Sequence, residues 1–282
     1  MTTSLVAIAQ PPWEMTTPAS AQTVITAILA VVVAGFVVAA LLVWRRSGKP
    51  DFLLMLAGGL ICSFNEETVD VLGHCFFPND GWTVHAFFGR GIPVWVVLGY
   101  VIFFGGLPYL MAFAFQHGVT HRIMWTCIGI FWVLNVALEI PVLGTRLYVY
   151  YGYQPFEIGG FPISWLVINS LGAVFGAVVL TRLAWLFAGA RRRLVLFVPF
   201  ATYMSSWVLA MPHFAITNTD APTGIRMAAA VISMVLGLIA IDVLIRFGTG
   251  QVRLLPPQSA DAITHRHAAK LNADAASPTA VP

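Results

Sequence analysis

Four carboxyl groups within apolar segments are the residues of this chain best suited to chemistry. Glu66, Glu67 and Asp70 lie in the run FNEETVDVLGH, and Glu139 lies in NVALEIP. A carboxylate at bilayer depth costs roughly 2.5–3.5 kcal/mol on insertion scales, so such residues face a protein interior and are candidates for function. Three ionised carboxylates so close in sequence repel one another, and we expect at least one to be protonated or neutralised by Arg, His or a metal. A protonated carboxyl group is suited to general acid catalysis.

Helical spacing brings these acids together with further polar side chains. Glu66, Asp70 and His74 follow one another at four-residue intervals and share one helix face. Glu67 shares an adjacent face with Asp70 and His74, so the sequence leaves open which glutamate points with Asp70. In the later segment, Asn135 lies one turn before Glu139 on the same face.

The segments that carry these residues are long enough to cross a membrane. The chain is 59% hydrophobic and 10% charged, whereas a soluble domain has about 25% charged residues. A membrane span needs about 20 mostly apolar residues. The sequence therefore predicts an all-α, polytopic transmembrane bundle of about seven helices. The predicted spans are 22–44, 52–73, 92–115, 123–143, 163–188, 194–214 and 225–247.

The distribution of Lys and Arg predicts how this bundle is oriented. Nine of these residues fall in one set of connecting segments and three in the other, and basic residues favour the cytoplasmic side. We therefore expect residues 1–21 to be a short extracytoplasmic tail, 22–247 the membrane domain in the cell membrane, and 248–282 a disordered cytoplasmic tail. The nine are Arg45, Arg46, Lys49, Arg122, Arg191, Arg192, Arg193, Arg246 and Arg253, against Arg90, Arg146 and Arg226.

In this orientation, four spans and two loops send polar groups to one depth in the outer half of the membrane. This convergence predicts a pocket that binds an apolar lipid, although a purely structural network is the competing interpretation. The loop 144–162 is rich in Tyr, Gly and Pro, which fits either a pocket wall or an interfacial aromatic belt. The candidate catalytic residues are Glu66, Glu67, Asp70 and Glu139. The candidate substrate-binding residues are His74, Asn135, Arg146, Tyr148, Tyr150, Trp165, Asn169 and His213.

Two chemistries suit such a pocket. A protonated carboxyl group in a dry site can protonate an alkene or an epoxide, and aromatic faces then stabilise the carbocation. Alternatively, the acidic motif Glu66-Glu67-x-x-Asp70 has the spacing to hold Mg²⁺ on a diphosphate, with Arg90 and Arg146 as the available anion partners. We favour the first and expect no metal, Mg²⁺ being required only if the substrate is a diphosphate. Candidate rings on the same side are Trp82, Trp132, Tyr148, Tyr150, Tyr151 and Trp165.

Several other functional classes lack their residues. The last span has no lysine to bind retinal, and no basic cluster interleaved with aromatic residues indicates nucleic-acid binding. The three cysteines form no CxxC pair, which argues against a disulfide framework or a zinc site. Intramembrane carboxylates also serve transport, so a non-enzymatic transporter or carrier of a lipid, an ion or a proton remains the alternative.

One segment resembles a known family. Residues 139–169 read EIPVLGTRLYVYYGYQPFEIGGFPISWLVIN, similar to a pattern in integral-membrane carotenoid hydratases and related isoprenoid-modifying proteins. There a Glu is followed by a Gly- and Tyr-rich loop and then by Gly-x-Pro at the start of the next span. The resemblance implies an isoprenoid-type lipid substrate and makes Glu139, Tyr148 and Tyr150 pocket residues.

The chain is also similar, in size, span number and use of membrane carboxylates, to the small seven-span terpene cyclases of fungal meroterpenoid pathways. That likeness implies a lyase-type cyclisation started by an acid. The segment FNEETVD belongs to neither pattern, which leaves the role of Glu66 undetermined by either resemblance.

Overall fold

The computed structural model describes residues 9–252, in which the chain is mostly helical. A 3₁₀ turn at Ser63–Asn65 joins the second helix to the third, and a π-helical segment at Val101–Gly106 (the π segment) joins the fourth to the fifth. Two further 3₁₀ turns, Ala184–Phe187 and Gly189–Phe197, follow the seventh helix. The helices are α1 (Ala19–Ser47), α2 (Asp51–Cys62), α3 (Glu66–Gly73), α4 (Val94–Tyr100), α5 (Leu107–Gln116), α6 (His121–Gly144), α7 (Ser164–Arg182), α8 (Val198–Leu209), α9 (Met211–Thr217) and α10 (Thr223–Gly248).

Within residues 9–252, six helical stretches are long and apolar enough to cross a membrane. A seventh candidate, Gly189–Leu209 followed by Met211–Thr217, is bent by 60°. The bend coincides with Pro212 in the first turn of α9, where proline supplies no backbone N–H to the preceding turn. The predicted helical architecture is therefore confirmed, with six helices, or seven if the bent pair counts as one span, that are long and apolar enough to cross a membrane. The six are Ala19–Ser47, Asp51–Gly73, Val94–Gln116, His121–Gly144, Ser164–Arg182 and Thr223–Gly248.

Two of the predicted boundaries need correction. The span predicted at 163–188 ends as a regular helix at Arg182, and the chain continues in 3₁₀ turns. The span predicted at 194–214 is broken at Ala210, between α8 and α9. The predicted tail beyond residue 252 and the first eight residues lie outside the described part of the chain.

Short strands in two connecting segments add to the predicted all-α architecture. Residues 74–93 and 145–163, which we call the loop layer, contain three antiparallel pairs in the described chain. One of them, β1 with β4, joins the two segments by pairing Cys75 with Tyr150 and Phe76 with Val149. The loop layer is therefore one connected structure. The strands are β1 (Cys75–Phe76), β2 (Thr83–Phe87), β3 (Arg90–Pro93), β4 (Val149–Tyr150), β5 (Glu157–Ile158) and β6 (Phe161–Pro162); β2 pairs with β3, and β5 with β6.

Residues 9–18 pack against the loop layer. The backbone N–H and hydroxyl of Thr17 both donate to Asp80 Oδ1, at 2.8 and 2.7 Å. These hydrogen bonds lower the pKa of Asp80 below its ordinary value. The Trp13 ring meets Phe76 edge-on, with centroids 5.3 Å apart. The second half of the predicted extracytoplasmic tail is thus an ordered part of the fold, and α1 already begins at Ala19.

Glycines let α2 approach the π segment closely. A Cβ at Gly59 would lie 2.8 Å from both the Tyr100 carbonyl oxygen and the Val101 Cα, and one at Gly105 would lie 2.7 Å from the Met55 carbonyl oxygen. Small residues at membrane helix contacts allow such backbone proximity. The contact holds the end of α4, with Tyr100, against α2, which the 3₁₀ turn connects to α3.

Gly59→Ala should therefore destabilise the fold by about 1–3 kcal/mol, since the added methyl group overlaps backbone atoms that have little freedom to move. Gly35→Ala, on α1, is the matched control because no described atom lies within 4 Å of the position of its Cβ. Thermal unfolding in detergent should show a lower Tm for Gly59→Ala and an unchanged or slightly raised Tm for Gly35→Ala. Equal unfolding temperatures for the two variants would contradict the close-contact interpretation.

Candidate functional site

A cavity lies beneath the loop layer, enclosed by α3, α4, α6, α7 and α8. It contains about 760 Å³ of empty space, counted out to its mouth. Seven of the twelve candidate residues from the sequence line it: Glu66, Asp70, Glu139, Tyr148, Tyr150, Trp165 and Asn169. The predicted convergence of polar groups from separate segments at one depth is therefore present in the tertiary structure.

The three carboxyl groups of the cavity have different surroundings. The Tyr100 hydroxyl donates a hydrogen bond to Glu66 Oε2, and the Asn135 side-chain amide donates to Glu139 Oε1 at 3.2 Å. Asp70 is 1% exposed, and its Oδ2 has no hydrogen-bond partner among residues 9–252. A buried carboxylate oxygen without a partner is costly, whereas a neutral acid at the same place is tolerated. Asp70 is therefore the cavity carboxyl group whose surroundings best suit a protonated state.

Two protonated groups of the loop layer complete the polar lining. Burial raises the pKa of the Cys75 thiol well above its ordinary value, and the neighbouring Asp70 carboxyl acts in the same direction. Burial likewise raises the pKa of the Tyr150 phenol. Both groups therefore stay neutral, and Cys75 is a thiol beside the Asp70 carboxyl group instead of a thiolate nucleophile.

Aromatic rings form most of the remaining wall. The Tyr203 ring lies 4.0 Å from Phe104 and 5.6 Å from Tyr100, centroid to centroid. On the loop-layer side, the Tyr148 ring lies 5.4 Å from Phe77 and 5.7 Å from Trp95. The faces of such rings carry partial negative charge that attracts cations. The cavity thus combines carboxyl groups with an electron-rich, largely apolar wall.

The sequence reasoning missed several of these lining residues. Tyr100 and Tyr203 line the cavity but lie inside predicted spans, where an aromatic residue is usually part of the apolar core. Cys75 also lines the cavity, and from the sequence it is interpreted as a small apolar residue. A tyrosine within a span indicates a polar contact inside the bundle, because its buried hydroxyl requires a hydrogen-bond partner. Conversely, three predicted rings do not line the cavity. Trp82 is 51% exposed, the Trp132 indole N–H donates to Ser170 Oγ at 2.7 Å, and Tyr151 contacts Arg90.

Glu67 points away from the cavity. Its Oε1 lies 2.6 Å from His85 Nδ1 on β2, and His85 Nε2 lies 3.0 Å from Ser63 Oγ in the 3₁₀ turn. Glu67 is 1% exposed. The ambiguity between the two glutamates is thus decided: Glu66 faces the cavity, and Glu67 fastens the β2–β3 hairpin to α3.

Four other candidate residues lie outside the cavity lining. Asn135 does not line the cavity itself but donates a hydrogen bond to Glu139, which does. His213 is buried, with its backbone N–H donating to Ser233 Oγ at 3.0 Å and its ring 3.3 Å from the Thr217 hydroxyl. Arg146 is exposed just beyond the end of α6, with a φ of 60°. His74 ends α3 and is described below.

Arg90, considered from sequence as a diphosphate partner, is enclosed by aromatic rings. It is 5% exposed, and its guanidinium carbon lies 5.4 Å from the ring centroids of Trp13, Phe76 and Tyr151. Its Nη2 donates to the Tyr151 hydroxyl at 2.6 Å. Tyr151, another predicted cavity ring, is therefore engaged with Arg90.

No metal cluster accompanies the site in the described chain. Between residues 9 and 252, no three His, Cys, Asp or Glu side chains are grouped so that they could hold a metal ion. Whether the chain uses Mg²⁺ on a diphosphate substrate stays a prediction.

The opposite end of the bundle has its own polar cluster. Asp242 Oδ1 lies 2.7 Å from His121 Nε2 and accepts from the Trp125 indole N–H at 3.1 Å, while its Oδ2 accepts from Arg246 Nε at 2.7 Å. This cluster ties α10 to α6, and none of its members lines the cavity.

Comparisons with known proteins provide no family. No protein-family model, no curated protein and no solved structure matches the chain. The fold and the site define a bundle of apolar helices around a carboxyl- and aromatic-lined cavity.

His74 makes the loop layer sensitive to acid. Its Nε2–H donates to Asn218 Oδ1 at 2.9 Å, and its buried Nδ1 has no partner in the described chain. Burial lowers the pKa of His74 below its ordinary value, with the positive charges of Arg90 and Arg226 acting in the same direction. The unfolded chain then binds more protons than the folded one, so stability falls as the pH drops below about 6.5.

We therefore expect wild type to lose more stability than His74→Gln between about pH 7.5 and pH 5. The glutamine amide can still donate to Asn218 but takes up no proton. Thermal unfolding in detergent at both pH values measures the difference, and using the variant as reference cancels the contribution of the other histidines. An identical pH dependence of the two proteins would remove His74 as its source.

Proposed function

We propose that this chain is a membrane-embedded enzyme that protonates an apolar isoprenoid-type lipid in the cavity and thereby cyclises or hydrates it. The observation that carries the proposal is the combination, in one cavity, of Glu66, Asp70 and Glu139 with a wall of aromatic rings. Such a wall stabilises a carbocation by cation–π attraction and keeps water from quenching it. The proposal is also supported by the resemblance of residues 139–169, because Glu139, Tyr148 and Tyr150 all line the cavity.

In this proposal Asp70 is the general acid. Its proton passes to an alkene carbon or an epoxide oxygen of the lipid, which leaves a carbocation in the cavity and a carboxylate on Asp70. The cation then closes a ring and loses a proton, or it captures water and loses a proton. In either case one proton returns to a carboxylate, so the acid is regenerated and no redox partner is needed. Glu66 and Glu139 stabilise the cation as it forms.

We further propose that the bundle has seven spans in the cell membrane, with the N-terminus outside. The bent pair α8–α9 then counts as one span, and the basic residues concentrate on the cytoplasmic side. The cavity lies in the outer half of the membrane in this arrangement. Water is excluded there, which favours acid catalysis on a lipid.

A non-enzymatic carrier is the alternative to test against. Both classes use buried carboxyl groups in a membrane. They differ in outcome, because an enzyme changes its ligand chemically and a carrier does not.

The decisive experiment is deletion of the gene in its native host, followed by high-resolution mass spectrometry of apolar extracts. Complementation uses wild type, Glu139→Gln and Asp70→Asn, with membrane levels of the three proteins matched. We expect an isoprenoid precursor to accumulate in the deletion strain and wild type alone to convert it. An unchanged lipid profile would contradict the enzymatic proposal. Conversion by both Glu139→Gln and Asp70→Asn at the rate of wild type would also contradict it.

A further inference from the structure

The loop layer closes the cavity from above. Phe77, Trp95 and Tyr148 are 4%, 9% and 3% exposed, and their rings pack against one another over the cavity. The backbone pairing of Cys75 with Tyr150 lies in the same layer. Among the described residues, these three packed rings therefore cover the loop-layer side of the cavity.

The side of the cavity between α4 and α6, which we call the gap, is less well covered. Four lining residues on this side are only half-buried: Gly99 on α4, Phe103 on the π segment, and Leu138 and Glu139 on α6. Helix α6 packs loosely, with Val133 and Leu134 69% and 63% exposed. Deeper in the bundle the gap is closed by Phe103 and Phe131, whose rings meet at 5.3 Å.

In the proposed membrane arrangement, the gap lies at the depth of the lipid tails. Gly99 is five residues from the start of α4 at Val94, and Glu139 is five residues from the end of α6 at Gly144. With a rise of 1.5 Å per residue, both are about 8 Å inside the loop-layer end of their helices. The mouth therefore faces hydrocarbon, not water.

Gly99 leaves this mouth open. A Cβ at Gly99 would meet no described atom within 4 Å, whereas Gly59 and Gly105 are held against backbone. Close helix packing thus explains the other two glycines but not Gly99. Any side chain at Gly99 would project into free space at the cavity edge.

We infer that the cavity admits its ligand sideways from the membrane between α4 and α6, and that Gly99 sets the size of chain that passes. The ligand is a linear polyprenyl chain: its reactive end reaches the carboxyl groups, and its remainder lies along the apolar part of the lining, which includes Leu29, Val96, Phe103 and Leu138. This inference rests on the proposed function.

The size test compares Gly99→Leu with Gly129→Leu. Gly129 lies on α6, and no described atom lies within 4 Å of its Cβ position, so it is a matched control away from the cavity. Purified proteins in lipid nanodiscs are titrated with geraniol and geranylgeraniol, and thermal unfolding confirms that each variant is folded. We expect Gly99→Leu to weaken geranylgeraniol binding about tenfold or more, geraniol binding less, and Gly129→Leu to change neither.

The outcomes separate the inference from the proposed function. If wild type binds neither alcohol, the proposed lipid function itself fails. If wild type binds both and folded Gly99→Leu binds both equally well, the inference about Gly99 is overturned while the proposed function stands.

The direction of access is tested by a spin label at Leu138→Cys, in a Cys127→Ser background because Cys127 is an exposed thiol. Trp82→Cys, in the loop layer, is the water-exposed control. Oxygen, which concentrates in hydrocarbon, should relax the label at 138, and an aqueous nickel chelate should relax the label at 82. Relaxation at 138 by the nickel chelate would show that the mouth opens to water and would overturn lateral access.

Discussion

Asp70→Asn should reduce turnover by about 10²–10⁴-fold, the range contributed by a general acid. The amide keeps the size of the side chain but has no acidic proton to give. Lipid binding should be retained, because the aromatic wall that surrounds the ligand is unchanged. Single-turnover conversion of the lipid identified by the deletion experiment, together with a binding titration in nanodiscs, separates the two effects.

The matched control is Asp80→Asn. Asp80 is also an aspartate beside the bundle, but it lies in the loop layer, where it accepts from Thr17. We expect turnover by Asp80→Asn to equal that of wild type. Full turnover by Asp70→Asn would remove Asp70 as the acid. An equal loss of turnover in both variants would indicate a general disturbance of the loop layer.

The second large effect concerns stability. Glu67→Ala should destabilise the fold by about 1–3 kcal/mol, the usual cost of leaving a buried hydrogen-bonding group without its partner. Glu67 Oε1 lies 2.6 Å from His85 Nδ1, with side chains 1% and 10% exposed. Without Glu67, His85 keeps Ser63 as a neighbour but loses its carboxyl partner. Urea unfolding in detergent micelles, followed by circular dichroism, measures the change.

A double variant isolates the pair from general damage. Glu67→Leu with His85→Phe replaces both partners by apolar groups, which is often close to neutral for a buried pair. His85 already stacks on Phe64, with centroids 4.5 Å apart, so a phenylalanine is well placed there. We expect the double variant to be more stable than Glu67→Ala. A Glu67→Ala protein as stable as wild type would show that the pair contributes little.

The two predictions concern adjacent faces of one short helix. Asp70 and Glu66 face the cavity, and Glu67 faces the β2–β3 hairpin. The hairpin leads directly into α4, which carries Tyr100 and Gly99. Loss of the Glu67–His85 contact should therefore loosen the cavity wall, whereas Asp70→Asn should leave it intact.

The sequence by itself determined that the chain forms helices long and apolar enough to cross a membrane. A run of about 20 apolar residues with few charges is a local feature of the sequence. It predicts a membrane helix, because each backbone group in lipid must be hydrogen-bonded within its own helix. The same local pattern placed Glu66, Asp70, Glu139 and Asn169 at a common depth, since depth follows from position within a span. In the structure these four residues line one cavity.

Only the tertiary structure decided which way each of these residues points and what it meets. The 3₁₀ turn at Ser63–Asn65 interrupts the α-helical phase, so spacing within 52–73 left Glu66 and Glu67 undistinguished. The strand pair β1–β4 and the ring cage around Arg90 join segments more than 60 residues apart. Such contacts depend on the three-dimensional packing of separate helices and loops, which periodicity within one segment does not encode.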